Sequence, residues 1–100
     1  MSEPERGQPY WVYVLFSDSA GLFYIGVTED VEARLGTHNS GKSRWTSRHT
    51  PWRCVFSKQF PSLTDARQFE NRLKRQKGGE GFFRLTGLQR SDAGGPAQGS

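Results

Sequence analysis

The chain has a single cysteine, Cys54, and a single methionine in its 100 residues. One cysteine excludes an intrachain disulfide and a cysteine-based zinc site built by this chain alone. Cys54 falls in an apolar strand-like run, where a buried packing thiol is expected. Long apolar runs are also missing. The longest, Tyr10 to Phe16, is too short to span a bilayer. The opening MSEPERG lacks the charged-then-apolar pattern of a secretion signal, so a soluble, cytoplasmic chain with no membrane partner is expected. Acids are absent from residues 33–60, which carry Arg34, Lys42, Arg44, Arg48, Arg53 and Lys58. A second basic stretch, residues 67–77, sets Arg67, Arg72, Lys74, Arg75 and Lys77 against Glu70 alone. Eleven of the 14 basic residues lie in these two stretches, a one-sided field that suits a polyanion.

Apolar residues are scarce at 33%, but 13% of the chain is aromatic, so a small core resting on few large side chains is expected. Residues 1–9 are polar with two prolines and residues 90–100 are rich in Gly, Ser and Pro; both read as disordered ends. One folded domain is expected over residues 10–89. Runs 10–16 and 22–27 read as strands joined by a turn at Ser17–Gly21, an antiparallel hairpin. Thr28 is the expected cap of a helix from about Asp30 to His38 or Asn39, ended near Gly41. A basic loop over 40–51 precedes a third strand at 52–60. A second helix runs from Leu63 to Gln76, with Thr64 as its expected cap. Residues 81–88 pack back as a short helix or turn. The class is α+β: a small three-stranded antiparallel sheet flanked by helices, in the order β-β-α-β-α.

Helical geometry then sorts the polar residues. At about 100° per residue, His38 lies about 20° and Leu35 about 40° from Val31, with Arg34 about 60° away at the edge of the stripe. On the second helix, Glu70 lies about 40° from Ala66 and shares its stripe with Leu73. A carboxylate turned toward a core needs a cation or a metal. Tyr13 and Tyr24 stand on the two hairpin strands, and Gly26 marks a site of close backbone approach. Each residue alone suits a structural role: a buried ion pair, a satisfied histidine, amphipathic tyrosines. Together, two phenols, a guanidinium, an imidazole and a carboxylate suggest a common cleft that could cut a phosphodiester.

These residues carry a resemblance. Val12-Tyr13 stands at the first tripeptide of the GIY-YIG nuclease superfamily, and Tyr24-Ile25-Gly26 is its second tripeptide intact. Arg34, His38 and Glu70 follow in the family's order. The run Arg34 to Gly41, and Thr50-Pro51-Trp52 leading into a strand, resemble small stand-alone bacterial members. These are similar to the N-terminal nuclease domain of the excision-repair endonuclease C subunit. The resemblance spans about residues 10–88 and implies a divalent-metal-dependent endonuclease acting on DNA, with a place in DNA repair or processing. It implies that Glu70 holds one Mg²⁺ or Mn²⁺. Tyr24 would be the general base, Arg34 would stabilise phosphate charge, and Tyr13 and His38 would orient the reacting groups. Some relatives carry Lys directly after the second tripeptide; here it is Val27. Activation of Tyr24 then falls to Arg34, the metal or Lys42, with His38 the alternative base. Lys42, Arg44, Trp45, Arg48 and His49 are the expected nucleic-acid contacts. Their partner is DNA, with RNA also open, bound by a monomer that a protein partner could guide. The alternative is a non-catalytic nucleic-acid-binding domain on the same scaffold.

Overall fold

The longest apolar run of the sequence is the central strand of the sheet. In the computed structural model, which describes residues 9–41, 46–77 and 79–88, β1 (Tyr10–Ser17) lies between β2 (Leu22–Thr28) and β3 (Trp52–Phe60). Both neighbours pair with β1 antiparallel. Residues 12–17 are all buried, which explains an unbroken apolar run where a half-exposed strand would alternate. The hairpin turn closes with Gly21 N–H donating to the Ser17 carbonyl at 2.7 Å, and Gly21 takes φ +70°, a conformation that glycine adopts without strain.

Three helices follow the expected ranges: α1 (Val31–Asn39), α2 (Leu63–Arg75) and α3 (Glu80–Thr86). Their caps differ from those expected. Thr28 pairs with Trp11 as the last residue of β2, and its hydroxyl accepts from Asp30 N–H at 3.1 Å, ahead of the helix. Asp30 caps α1, its Oδ1 accepting from Ala33 N–H at 3.1 Å. On α2, Ser62 rather than Thr64 is the cap, accepting from Asp65 N–H at 3.1 Å. Thr64 already lies within the first helical turn, where its hydroxyl cannot serve as the Ncap acceptor. Gly41, just past α1, takes φ +87°, the left-handed conformation expected of a terminator.

Strand alternation divides the core in two. Val12, Val14 and Phe16 pair with Val27, Ile25 and Phe23 on one face, where Ala66 and Leu73 of α2 and Phe82 of α3 complete the larger cluster. Tyr13 and Leu15 pair with Gly26 and Tyr24 on the other face, packed with Trp52 of β3 and Val31 and Leu35 of α1. The β1–β3 register slips between Val14 and Leu15, a bulge that leaves Val55 as the extra residue. Cys54 is exposed rather than buried, because β3 is an edge strand and Arg53 and Cys54 are left uncovered.

Among the described residues, no helix is long and apolar enough to cross a membrane.

Candidate active site

The second sheet face brings three of the expected site residues into one cluster. Tyr13 is 1% exposed, yet it carries a hydroxyl that needs a partner. That partner is His38 Nε2, 3.2 Å away. The imidazole is itself buried, and its Nδ1 meets Thr46 Oγ1 at 3.0 Å. Both ring nitrogens are therefore engaged. The Tyr24 ring lies 4.6 Å from the His38 ring and 6.2 Å from the Tyr13 ring, centroid to centroid. The three aromatic groups form one contiguous patch on the α1 side of the sheet.

Gly26 explains how Tyr13 reaches this position. A Cβ at residue 26 would lie 2.6 Å from the Tyr13 hydroxyl and 2.7 Å from Cζ. The phenol occupies the volume that any larger side chain would need. The expected close approach at Gly26 is thus an approach of the neighbouring tyrosine.

Electrostatics follow from burial. Loss of solvent pushes the Tyr13 hydroxyl up to about 12, against an opposing hydrogen bond from Arg34, and the adjacent Tyr24 phenol adds to the rise. Tyr13 stays a protonated phenol at neutral pH. Burial, with the Arg34 charge as a second cause, pushes His38 below its usual imidazole value, which keeps it neutral. Arg34 is exposed on α1 and borders an open groove with Ala33 and Thr37. It acts electrostatically on both Tyr13 and His38. Four of the five expected catalytic residues thus converge.

Glu70 stands apart. It is 4% exposed, but α2, its helix, packs against the Val12 and Ile25 face. Its Oε1 meets Arg67 Nη1 at 3.3 Å and its Oε2 meets Lys74 Nζ at 3.0 Å. The apolar stripes of the two helices pack into different clusters, α1 with Tyr13 and Leu15 and α2 with Val12 and Ile25. Among the described residues no three of His, Cys, Asp and Glu gather as a metal-binding group. A single buried carboxylate is a donor set that a hydrated Mg²⁺ or Mn²⁺ accepts, since such ions keep several waters and take the rest of their shell from phosphate oxygens. Arg67 and Lys74 are more than half exposed in their side chains, so either can turn outward.

Of the expected nucleic-acid contacts, Lys42, Arg44 and Trp45 lie outside the described residues. Arg48 and His49 sit on a single 3-10 turn, Thr46–His49. Arg48 is exposed; the His49 ring packs at 6.4 Å against Trp52. The turn is tied to the cluster through Thr46, whose carbonyl also accepts from Trp52 Nε1 at 2.8 Å.

Two supporting residues have no role in the sequence reading. Thr46 orients His38. Asn39 clamps β3, its Oδ1 accepting from Trp52 N–H at 2.7 Å and its Nδ2 donating to the Trp52 carbonyl at 3.0 Å. In the sequence Asn39 marks only the end of a helix, and its position beside His38 is the signal available for more.

Residues 9–82 match the family model described as the GIY-YIG catalytic domain. A UPF0213 protein of Lacticaseibacillus paracasei is 40% identical over 68 residues, covering 67% of this chain and 75% of its own. A structure-specific endonuclease subunit SLX1 of Meyerozyma guilliermondii is 41% identical over 76 residues, covering 68% of this chain but 25% of that protein. A solution structure of a UPF0213 protein from Bacillus halodurans aligns with 28% identity and a TM-score of 0.42, over 90% of this chain and 83% of that one. The family-model match, spanning most of the chain, establishes that this chain belongs to the GIY-YIG family.

Proposed function

We propose that this chain is a divalent-metal-dependent endonuclease that hydrolyses a DNA phosphodiester. The observation that carries the reading is the Tyr13–His38–Tyr24 cluster at the tripeptide positions, with Arg34 beside it. In this reading Tyr24, half-buried at the surface of the cluster, first gives its own proton to solvent and then, as the phenolate, takes a proton from the attacking water. The water oxygen bonds to phosphorus, and the bond from phosphorus to the leaving sugar oxygen breaks. Arg34 stabilises the charge that grows on the phosphate oxygens. Tyr13 and His38 hold positions rather than move protons: Tyr13 is held as the neutral phenol, and His38 has both nitrogens occupied. A metal ion bound through Glu70 would supply polarisation of the phosphate and neutralisation of the leaving oxygen. Arg48 supplies backbone contact at the rim of the same face.

The cytoplasm as its compartment, a role in DNA repair or processing, and a monomer that a protein partner directs belong to the same proposal. The SLX1 relative is named as a subunit, which supports the guiding partner. The test is cleavage of duplex, flap, junction and RNA substrates by purified protein with Mg²⁺ or Mn²⁺. Metal-dependent cutting that Tyr24→Phe removes would support the proposal.

One observation favours a second reading, a non-catalytic nucleic-acid-binding domain. Glu70 is already paired twice, and on a helix packed against the other sheet face. Failure of every substrate to be cut, with salt-dependent binding retained, would select that alternative.

A further inference from the structure

The second basic stretch is not used by the active-site cluster, and α2 divides it into two unlike flanks. Measured from Ala66 at about 100° per residue, Arg67 and Lys74 lie near +100° and +80°, while Arg72 and Arg75 lie near −120° and 180°. The first flank is paired with Glu70. The second is not. Arg72 and Arg75 have no ion-pair partner among the described residues, and neither does Arg84, which joins them from α3. Asp65, the acid nearest Arg72 on that flank, lies two turns back, about 10 Å along the axis.

These three arginines line an open groove of about 360 Å³ between α2 and α3, together with Gln76, Gly81 and Leu85. All three are exposed. Gly81 has no side chain where the Gln76 amide lies, so the groove has room for Gln76 to rest against the α3 backbone. The amide adds two uncharged donors beside three guanidinium forks. Nearby, burial first and the Lys74 charge second push Lys77 below its usual value.

We propose that this groove is a second phosphate-binding site, taking the sugar-phosphate backbone of a polynucleotide. Arginine forks bind phosphate oxygens in pairs, and three forks on two helices can hold adjacent phosphates of one strand. The groove lies on the α2–α3 side, where Phe82 and Leu73 pack against the opposite sheet face from Tyr13. A strand held there is not the strand at the phenols. The protein therefore engages two separate backbone segments, as a bent or branched polynucleotide presents. This goes beyond the nuclease proposal and does not require it, since binding alone occupies the groove.

The test is binding of the full chain to fluorescent duplex, junction and single-stranded DNA across a salt series in EDTA, where no cutting interferes. The variant is Arg72→Gln/Arg75→Gln/Arg84→Gln, at exposed positions that leave the core intact. The log–log salt slope should fall by about 0.9 for each phosphate that is no longer neutralised, or about 2 to 3 in all, with at least about tenfold weaker binding at low salt. The charge-keeping variant Arg72→Lys/Arg75→Lys/Arg84→Lys should hold most of the slope. An unchanged slope in a glutamine variant that melts like the parent overturns the proposal. So does stabilisation by inorganic phosphate that needs the arginines while DNA binding does not, which would mark a free-anion site. Loss of DNA binding only for single strands, with junction and duplex unaffected, would also contradict the two-segment account. Cleavage measured separately with Mg²⁺ distinguishes the readings: a wild type that binds with the full slope yet cuts nothing refutes the nuclease and leaves the groove standing.

Discussion

The Tyr13 hydroxyl and the His38 Nε2, 25 residues apart in sequence, meet at 3.2 Å inside the protein. The contact ties the middle strand to α1 and fixes the orientation of both groups. Tyr13→Phe removes the hydroxyl and leaves a buried imidazole nitrogen without its partner. A stability loss of about 1–3 kcal/mol is expected by denaturant unfolding. Cleavage should fall through kcat, with DNA affinity little changed, because Tyr13 is buried away from solvent.

Gly26→Ala tests the close approach at the second tripeptide. The added methyl meets the Tyr13 ring and hydroxyl, which are too tightly buried to move freely. A loss of about 1–3 kcal/mol from overpacking is expected. The Tyr13–His38 hydrogen bond should also break, which the imidazole nitrogen shifts in NMR would report. An alanine variant with parental melting and unchanged shifts would count against this packing.

Stability should fall with acid. The folded His38 value lies below its unfolded value near 6.5, so the unfolded chain binds more protons as pH drops through about 6.5. His38 therefore opposes folding progressively below that pH and ceases to add further loss once pH passes below the folded value. The unfolding free energies of wild type and His38→Gln should draw together between about pH 7 and pH 5. Tyr13 acts at the other end. Its folded value of about 12 exceeds the unfolded value of about 10, so its contribution is present below about pH 10 and lost as pH rises from there toward 12.

Asn39→Ala removes two hydrogen bonds to the Trp52 backbone. A loss of about 1–2 kcal/mol is expected. Since Trp52 also holds the carbonyl of Thr46, the 46–49 turn should loosen, and hydrogen exchange there should rise.

Strand and helix ranges are legible in the sequence because their signals are local. The apolar run Tyr10 to Phe16, the turn glycine at Gly21 and the apolar stripe through Val31, Leu35 and His38 each announce their element. The helical position of His38 also foretells its burial. Caps are less legible: Thr28 and Thr64 have the right chemistry, but Thr28 belongs to a strand ladder and Thr64 lies inside the first turn. The wheel foretells the burial of Glu70, but not that the apolar stripe of α2 joins a different cluster from that of α1. A helical wheel reports which side of a helix faces a core but not which sheet face that helix covers. Thr46 and Asn39 escape a sequence reading because their work depends on how loop and strand ends meet α1, a long-range relation with no periodic signature.

The most direct test of the nuclease account is a comparison of Tyr24→Phe and Glu70→Gln with wild type, on a labelled DNA panel in Mg²⁺ or Mn²⁺. The account predicts metal-dependent cutting by the parent, a loss of about 100-fold or more in each variant, and DNA affinity within a few-fold of the parent's. Undiminished cutting by Tyr24→Phe or Glu70→Gln, or a wild-type protein that binds every substrate and cuts none, would contradict it.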